Sequence, residues 1–212
     1  TDQGLDAKTK NYHLNLNAIL LPCISDRFYI PYFSWGELKK IIENVDVVHL
    51  MSHWTIINIV VYLLIRKLKK PYTFCPAGTL HIFGRSFVLK KLYNFFIGSK
   101  IIKNAAKCIA ITELEKQDFL AFGVDKSLIQ VIPNGIDVKE FYPDLVAKKS
   151  FTNKYDLKDF PYILFMGRLN MIKGPDILLD AFIKLSKEFP KINLVFAGPD
   201  EGLGGLLRKK IN

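Results

Sequence analysis

At 212 residues, half of them hydrophobic, the chain is long enough for one or two domains with a sizeable buried core. Its longest apolar stretch, Trp54–Ile65, is too short for a membrane span. The start shows no basic-plus-apolar leader, and Cys23, Cys75 and Cys108 lack a CxxC pair, so the sequence predicts a reducing cytoplasm and no disulfide or zinc framework. In chain order, Ala18–Leu21 reads as a strand, and Ser34-Trp-Gly-Glu37 as a capping-box start to a helix ending near Glu43. Asp46–Leu50 is a short buried strand and Ile56–Lys69 a helix. Pro71–Cys75 is the next strand, with Pro76-Ala-Gly-Thr79 as its exit loop. Gly84–Gly98 is a basic amphipathic stretch rich in aromatics. Lys107–Ile111 is a strand, Thr112-Glu-Leu-Glu115 caps another helix, and Gly123 stops it. Ile129–Ile132 is one more strand, closed by a Pro133-Asn-Gly135 turn. From Asp137 to about Asp159 the pattern loses its period, which marks a domain seam, and a second βαβ unit starts at Tyr162. This alternation predicts a parallel α/β architecture.

The segment 164–174, LFMGRLNMIKG, carries the most chemistry. An apolar run ends at Gly167, Arg168 follows at once, and Lys173 and Gly174 stand before Pro175 and an amphipathic run. That order reads as strand, phosphate-cradling loop and helix N-terminus, where unpaired N–H groups and partial positive charge suit a phosphate. Arg168 and Lys173 supply the full charges that a diphosphate demands. Taken alone, the same residues also fit a surface loop with two solvated cations.

The net charge of +10 needs an anionic partner. Nucleic acid is the generic one, but the basic runs are not interleaved with aromatics in a nucleic-acid motif. The stretch 84–98 offers another, since Phe87, Leu89, Tyr93, Phe95 and Phe96 mix with Lys90 and Lys91 as on a helix lying on an anionic bilayer. An ordinary helix packing its apolar face on a sheet explains the same pattern. His49 and His53 stand four apart, but a strand end and a loop do not share a face, so both read as structural or surface residues, as does His13. The glycines at 198, 202, 204 and 205 follow no first strand in a GxGxxG pattern, which excludes a nicotinamide-binding fingerprint.

Three motifs in order, VIPNGID with FYP, ILFMGRLNMIKGPDILLDAF, and INLVFAGPDEG, resemble the family 4 glycosyltransferases of the GT-B fold. The resemblance runs from about Asp46 to Gly202. It implies two Rossmann-like parallel-sheet domains facing a cleft: residues 1–137 on the acceptor side and 138–212 beginning the nucleotide-sugar donor domain. It implies a retaining enzyme that moves a hexose from a nucleotide-diphosphate sugar to a glycan or lipid-linked acceptor in cell-surface polysaccharide or lipopolysaccharide assembly. Gly167, Arg168 and Lys173 fall on the family's diphosphate-binding positions. No cofactor and no metal are implied, because two fixed cations stabilise the leaving diphosphate.

The chain departs from the family pattern in two ways. It lacks the glycine-rich first-strand loop, and the later pair of glutamates would lie beyond Asn212, so both domains read as incomplete and the 212 residues alone as inactive. Ala77 stands where many relatives carry a histidine, leaving Gly78 and His81 as the candidate acceptor-side residues. The rival reading is a non-catalytic basic module that binds a membrane surface or nucleic acid.

Overall fold

The structure, a computed structural model, describes residues 18–19, 21–25, 30–82, 86–139, 141–157 and 160–211. His13, Gly84 and Arg85 fall outside these residues. The chain divides into two compact units, Thr1–Ile136 and Asp137–Asn212.

The first unit opens with an antiparallel pair, β1 (Cys23–Ser25) and β2 (Ile30–Pro31). Ala18, Ile19 and Leu21, expected in a strand, lie outside one. Pairing starts only beyond Pro22, whose carbonyl accepts from the Tyr32 N–H at 2.7 Å. Helix α1 (Trp35–Glu43) begins where its sequence predicts, yet Ser34 makes no side-chain cap. Burial of Ile42 and packing of Leu38 on the core hold it instead. Strand β3 (Val48–Met51) leads into helix α2 (Ile56–Leu68), capped by the Thr55 hydroxyl and closed by Lys69 in the left-handed region at φ 53°. Its inner face buries Val61, Tyr62, Leu64 and Ile65.

Strand β4 (Tyr72–Cys75) is followed by helix α3 (Phe87–Tyr93), a π-helical turn (Asn94–Gly98) and helix α4 (Ser99–Lys103). Strand β5 (Lys107–Ala110), helix α5 (Glu113–Ala121), a 3-10 turn (Lys126–Leu128) and β6 (Ile129–Val131) complete the unit. The four strands pair in parallel in the order β3-β4-β5-β6, so every connection is a helical crossover. Cys75 and Cys108 are free and buried in this sheet. The core is continuous from Ile42 through Phe74, Ile101 and Phe119 to Val124. Each fully buried phenylalanine there contributes about 1.5–3 kcal/mol. After β6 the expected Pro133-Asn-Gly135 turn is absent; residues 132–137 form neither a turn nor a regular element.

The second unit contains helix α6 (Leu145–Lys154), β7 (Tyr162–Met166), α7 (Pro175–Leu185), β8 (Asn193–Ala197) and α8 (Gly204–Ile211). Helix α6 lies inside the stretch read as a seam without secondary structure. It buries no residue and has no apolar stripe, so periodicity misses it, but Asp144 accepts from the N–H groups of Val146 and Ala147 and starts it. Strands β7 and β8 pair in parallel through five consecutive positions, from Tyr162 with Asn193 to Met166 with Ala197.

Candidate functional site

The loops that follow β7 and β8 run side by side. Gly167 N–H donates to Ala197 O at 2.9 Å, and Leu169 N–H to Pro199 O at 2.9 Å. Leu169 and Asp200 extend the pairing by one bridge. Gly198 makes this approach feasible: its φ of 152° disfavours a side chain, and a Cβ there would run into the Gly167 carbonyl.

Arg168 projects from this seam and is half-exposed. Its Nη1 donates to both carboxylate oxygens of Glu201 at 3.2 Å, and Asn170 Nδ2 donates to Glu201 Oε2 at 2.8 Å. Asn170 in turn accepts the Lys173 N–H on its carbonyl and its side-chain oxygen, each at 3.1 Å. Lys173 is exposed, and its Nζ has no protein partner among the described residues. Gly174, at φ 63°, turns the chain into α7, with Pro175 at the first helical position and no side-chain cap. The structure therefore gathers Gly167, Arg168 and Lys173 on one short loop that ends at a helix N-terminus.

Two acidic residues flank the loop. The Asn170 amide and then Arg168 hold the Glu201 carboxyl below the usual carboxylate range. The N–H groups of Gly204 and Gly202, each 2.9 Å from Asp200 Oδ1, lower Asp200 in the same way and start α8. Sequence reasoning missed Glu201, because its partners lie 31 and 33 residues earlier in the chain.

In the first unit, Gly78 and His81 both reach helix α5, at different residues. Ala77 and Gly78 take positive φ values of 50° and 81° in the β4 exit loop. Gly78 N–H donates to Glu115 Oε1 at 2.5 Å, while Glu115 Oε2 accepts from Ile111 N–H at 2.7 Å. Glu115 is buried, so one carboxylate clamps the exits of β4 and β5 together. Its own N–H donates to the Thr112 hydroxyl, as the capping pattern predicts. His81 is exposed, with Nε2 2.9 Å from Asp118 Oδ1. Gly78 and His81 are thus placed by tertiary contacts rather than by the loop alone.

His49 lies within β3, not at its end, and its Nδ1 is 2.6 Å from the Thr73 hydroxyl. His53 is fully buried among Trp54, Phe74, Tyr93 and Phe122. The Tyr93 hydroxyl donates to the His53 carbonyl at 2.6 Å, and His53 Nε2 is 2.7 Å from Asn94 Oδ1. Burial pushes the His53 imidazole down to about 4, against the Asn94 hydrogen bond. The neutral ring therefore carries its proton on Nε2, and buried Nδ1 has no hydrogen-bond partner among the described residues. Among the described residues no cluster of three His, Cys, Asp or Glu side chains is arranged to hold a metal ion.

The model of the family described as Glycosyltransferase Family 4 matches residues 5–140, and that of Glycosyl transferases group 1 matches residues 148–211. The chain belongs to glycosyltransferase family 4. Within this family setting, a D-inositol 3-phosphate glycosyltransferase of Xylanimonas cellulosilytica is 32% identical over 109 residues, 49% of this chain and 25% of that protein. Spore coat protein SA of Bacillus subtilis is 27% identical over 173 residues, 77% of this chain and 42% of that protein. The crystal structure of Anabaena HepE in complex with UDP-glucose superposes with a TM-score of 0.70 at 16% identity, covering 98% of this chain and 54% of that one. Sucrose-phosphate synthase from Thermosynechococcus elongatus gives a TM-score of 0.61 at 21% identity, over 92% and 50%. The chain thus spans a quarter to about half the length of these relatives. The α/β architecture with parallel sheets matches GT-B glycosyltransferases over that partial length.

Proposed function

We propose that the protein is a retaining glycosyltransferase, moving a hexose from a nucleotide-diphosphate sugar to a glycan or lipid-linked acceptor in cell-surface polysaccharide synthesis. The second unit takes the donor and the first the acceptor. The observation that carries this reading is the single loop after β7, which presents Arg168, Lys173 and the uncapped start of α7 together. As the sugar departs, negative charge grows on the diphosphate, and cations already in place stabilise it without reorganising. Loss of either cation removes about 2–4 kcal/mol of transition-state stabilisation in the whole enzyme. The complex of HepE with UDP-glucose supports a uridine donor for this fold.

On the acceptor side, Gly78 and His81 border the β4 exit loop. The first unit also presents a basic aromatic surface. Phe87, Val88, Leu89, Leu92, Phe95 and Phe96 are exposed, and α3 buries none of its residues. A groove of about 610 Å³ beside it is lined by Trp54, Ile59, Leu92, Tyr93 and Phe96. These features favour a peripheral site on the inner face of an anionic membrane, the same surface by which a non-catalytic module would bind. Among the described residues no helix is long and apolar enough to cross a membrane.

Calorimetry with uridine and guanosine diphosphates tests the donor site. The 212-residue chain is expected to bind these diphosphates through the loop after β7. Arg168→Ala and Lys173→Ala are each expected to weaken that binding. Tight binding that ignores both substitutions would show that the phosphates sit elsewhere.

A further inference from the structure

Glu201 has no task in the donor reading as it stands. A carboxylate beside a phosphate site repels the ligand, so its position needs a reason. Its contacts supply one. Both of its oxygens accept from a single nitrogen of Arg168, Nη1, at 3.2 Å. Arg168 Nε and Nη2 have no protein partner among the described residues. Those two nitrogens form one edge of the guanidinium, the pairing that takes two phosphate oxygens at once. Glu201 therefore tethers the fork from one side and leaves the other side open.

The same carboxylate accepts from Asn170 at 2.8 Å, and Asn170 receives the Lys173 N–H on two oxygens. Glu201 thereby fixes Arg168 directly and the turn carrying Lys173 through Asn170. Its own place is set by backbone: its N–H donates to Leu169 O at 3.2 Å, one residue beyond Arg168. An exposed arginine without such a tether samples many rotamers and loses that freedom when a ligand arrives. We propose that Glu201 is a positioning residue of the donor site, holding Arg168 and the Asn170–Lys173 turn ready for a nucleoside diphosphate. The inference rests on the donor-site reading above.

Tethering and repulsion act with opposite sign, and two substitutions separate them. Glu201→Gln keeps an oxygen for Asn170 and Arg168 but loses the charge, whereas Glu201→Ala loses both. With UDP as the probe and the full 212-residue chain in the calorimeter, Glu201→Ala is expected to weaken binding about three- to tenfold. Glu201→Gln is expected to restore it to within about twofold, since its side-chain carbonyl still accepts. Because part of the effect of Glu201 runs through Arg168, removing Glu201 in the Arg168→Ala background should weaken binding by less than removing it in the wild type. Without UDP, the Arg168 Nε–Hε NMR resonance should report a restricted side chain in the wild type and in Glu201→Gln, and a mobile one in Glu201→Ala. Equal or tighter UDP binding by both Glu201 variants, or an additive double variant, overturns the inference and leaves the donor site standing. A wild type that does not retain UDP, or an Arg168→Ala variant that binds unchanged, overturns the donor reading and this inference with it.

Discussion

His53 shows how one side chain ties stability to pH. Its ring is sealed by four aromatic neighbours and titrates at about 4, against an ordinary value of 6.5 in the unfolded chain. Between these values the unfolded state binds the extra proton. Stability therefore rises with pH, is fully present above about 6.5, and is lost as pH falls towards 4. The size is at most about 3–4 kcal/mol, by the rule of ~1.4 kcal/mol per unit. Urea unfolding of the first unit at pH 7 and pH 4.5, with His53→Phe beside the wild type, checks it; the wild type should lose more stability on acidification. Equal losses would assign the pH effect to other groups. Residues differed in how readable they were. Arg168 and Lys173 are legible from the chain, because five residues and one loop relate them. Burial of His53 was not, since Asn94 and Phe122 arrive from elements 41 and 69 residues away.

At the scale of elements, periodicity identified strands and helices whose inner face meets a core. Strands β4, β5 and β7 and helix α2 start and stop within a residue or so of expectation, because apolar runs mark them, with a proline or glycine beside the ends of β4 and β7. Helix α6 escaped because nothing along it is buried. The stretch 87–98 is helical as expected, with a π-helical turn in place of a regular α-helix from Asn94. Gly98 is packed so closely there that a Cβ would meet Asn94 Oδ1 at 2.5 Å and the Tyr93 ring at 2.6 Å. This turn aims Tyr93 and Asn94 inward at His53 while Phe95 and Phe96 face out. The outward face makes a testable surface. Liposome flotation should show binding to vesicles with anionic lipid and little to neutral ones. The Lys90→Glu/Lys91→Glu variant should lose at least about tenfold in partitioning, from roughly 1 kcal/mol per lysine near the surface. Equal absence of binding to both vesicle types would sink the membrane reading.

For the molecule as a whole, the two units are unequally built. The first owns a continuous core from Ile42 to Val124. In the second, the described buried apolar side chains are Leu179, Leu203 and Leu207, with Pro175. Its two strands are only half-buried or exposed along their length. With less surface removed from water, the second unit should open at lower free energy. Hydrogen exchange followed by mass spectrometry should find β7 and β8 amides exchanging before those of β4 and β5. Similar protection in both units would show that the second gains stability from a source beyond its own core.

The sequence by itself determined the parallel α/β class, the strand-loop-helix that presents Arg168 and Lys173, and a family likeness resting on three ordered motifs. The first two follow from side-chain periodicity, turn residues and short spacing along the chain, and the third from motifs that resemble a family. Tertiary structure alone decided which groups surround those residues. It placed Glu201 against Arg168 and Asn170, sent Glu115 to the exit loops of two strands, and closed an aromatic box on His53. The physical reason is that a parallel sheet joins its strands by long crossovers, so the loops that meet at one end of it are distant in the chain.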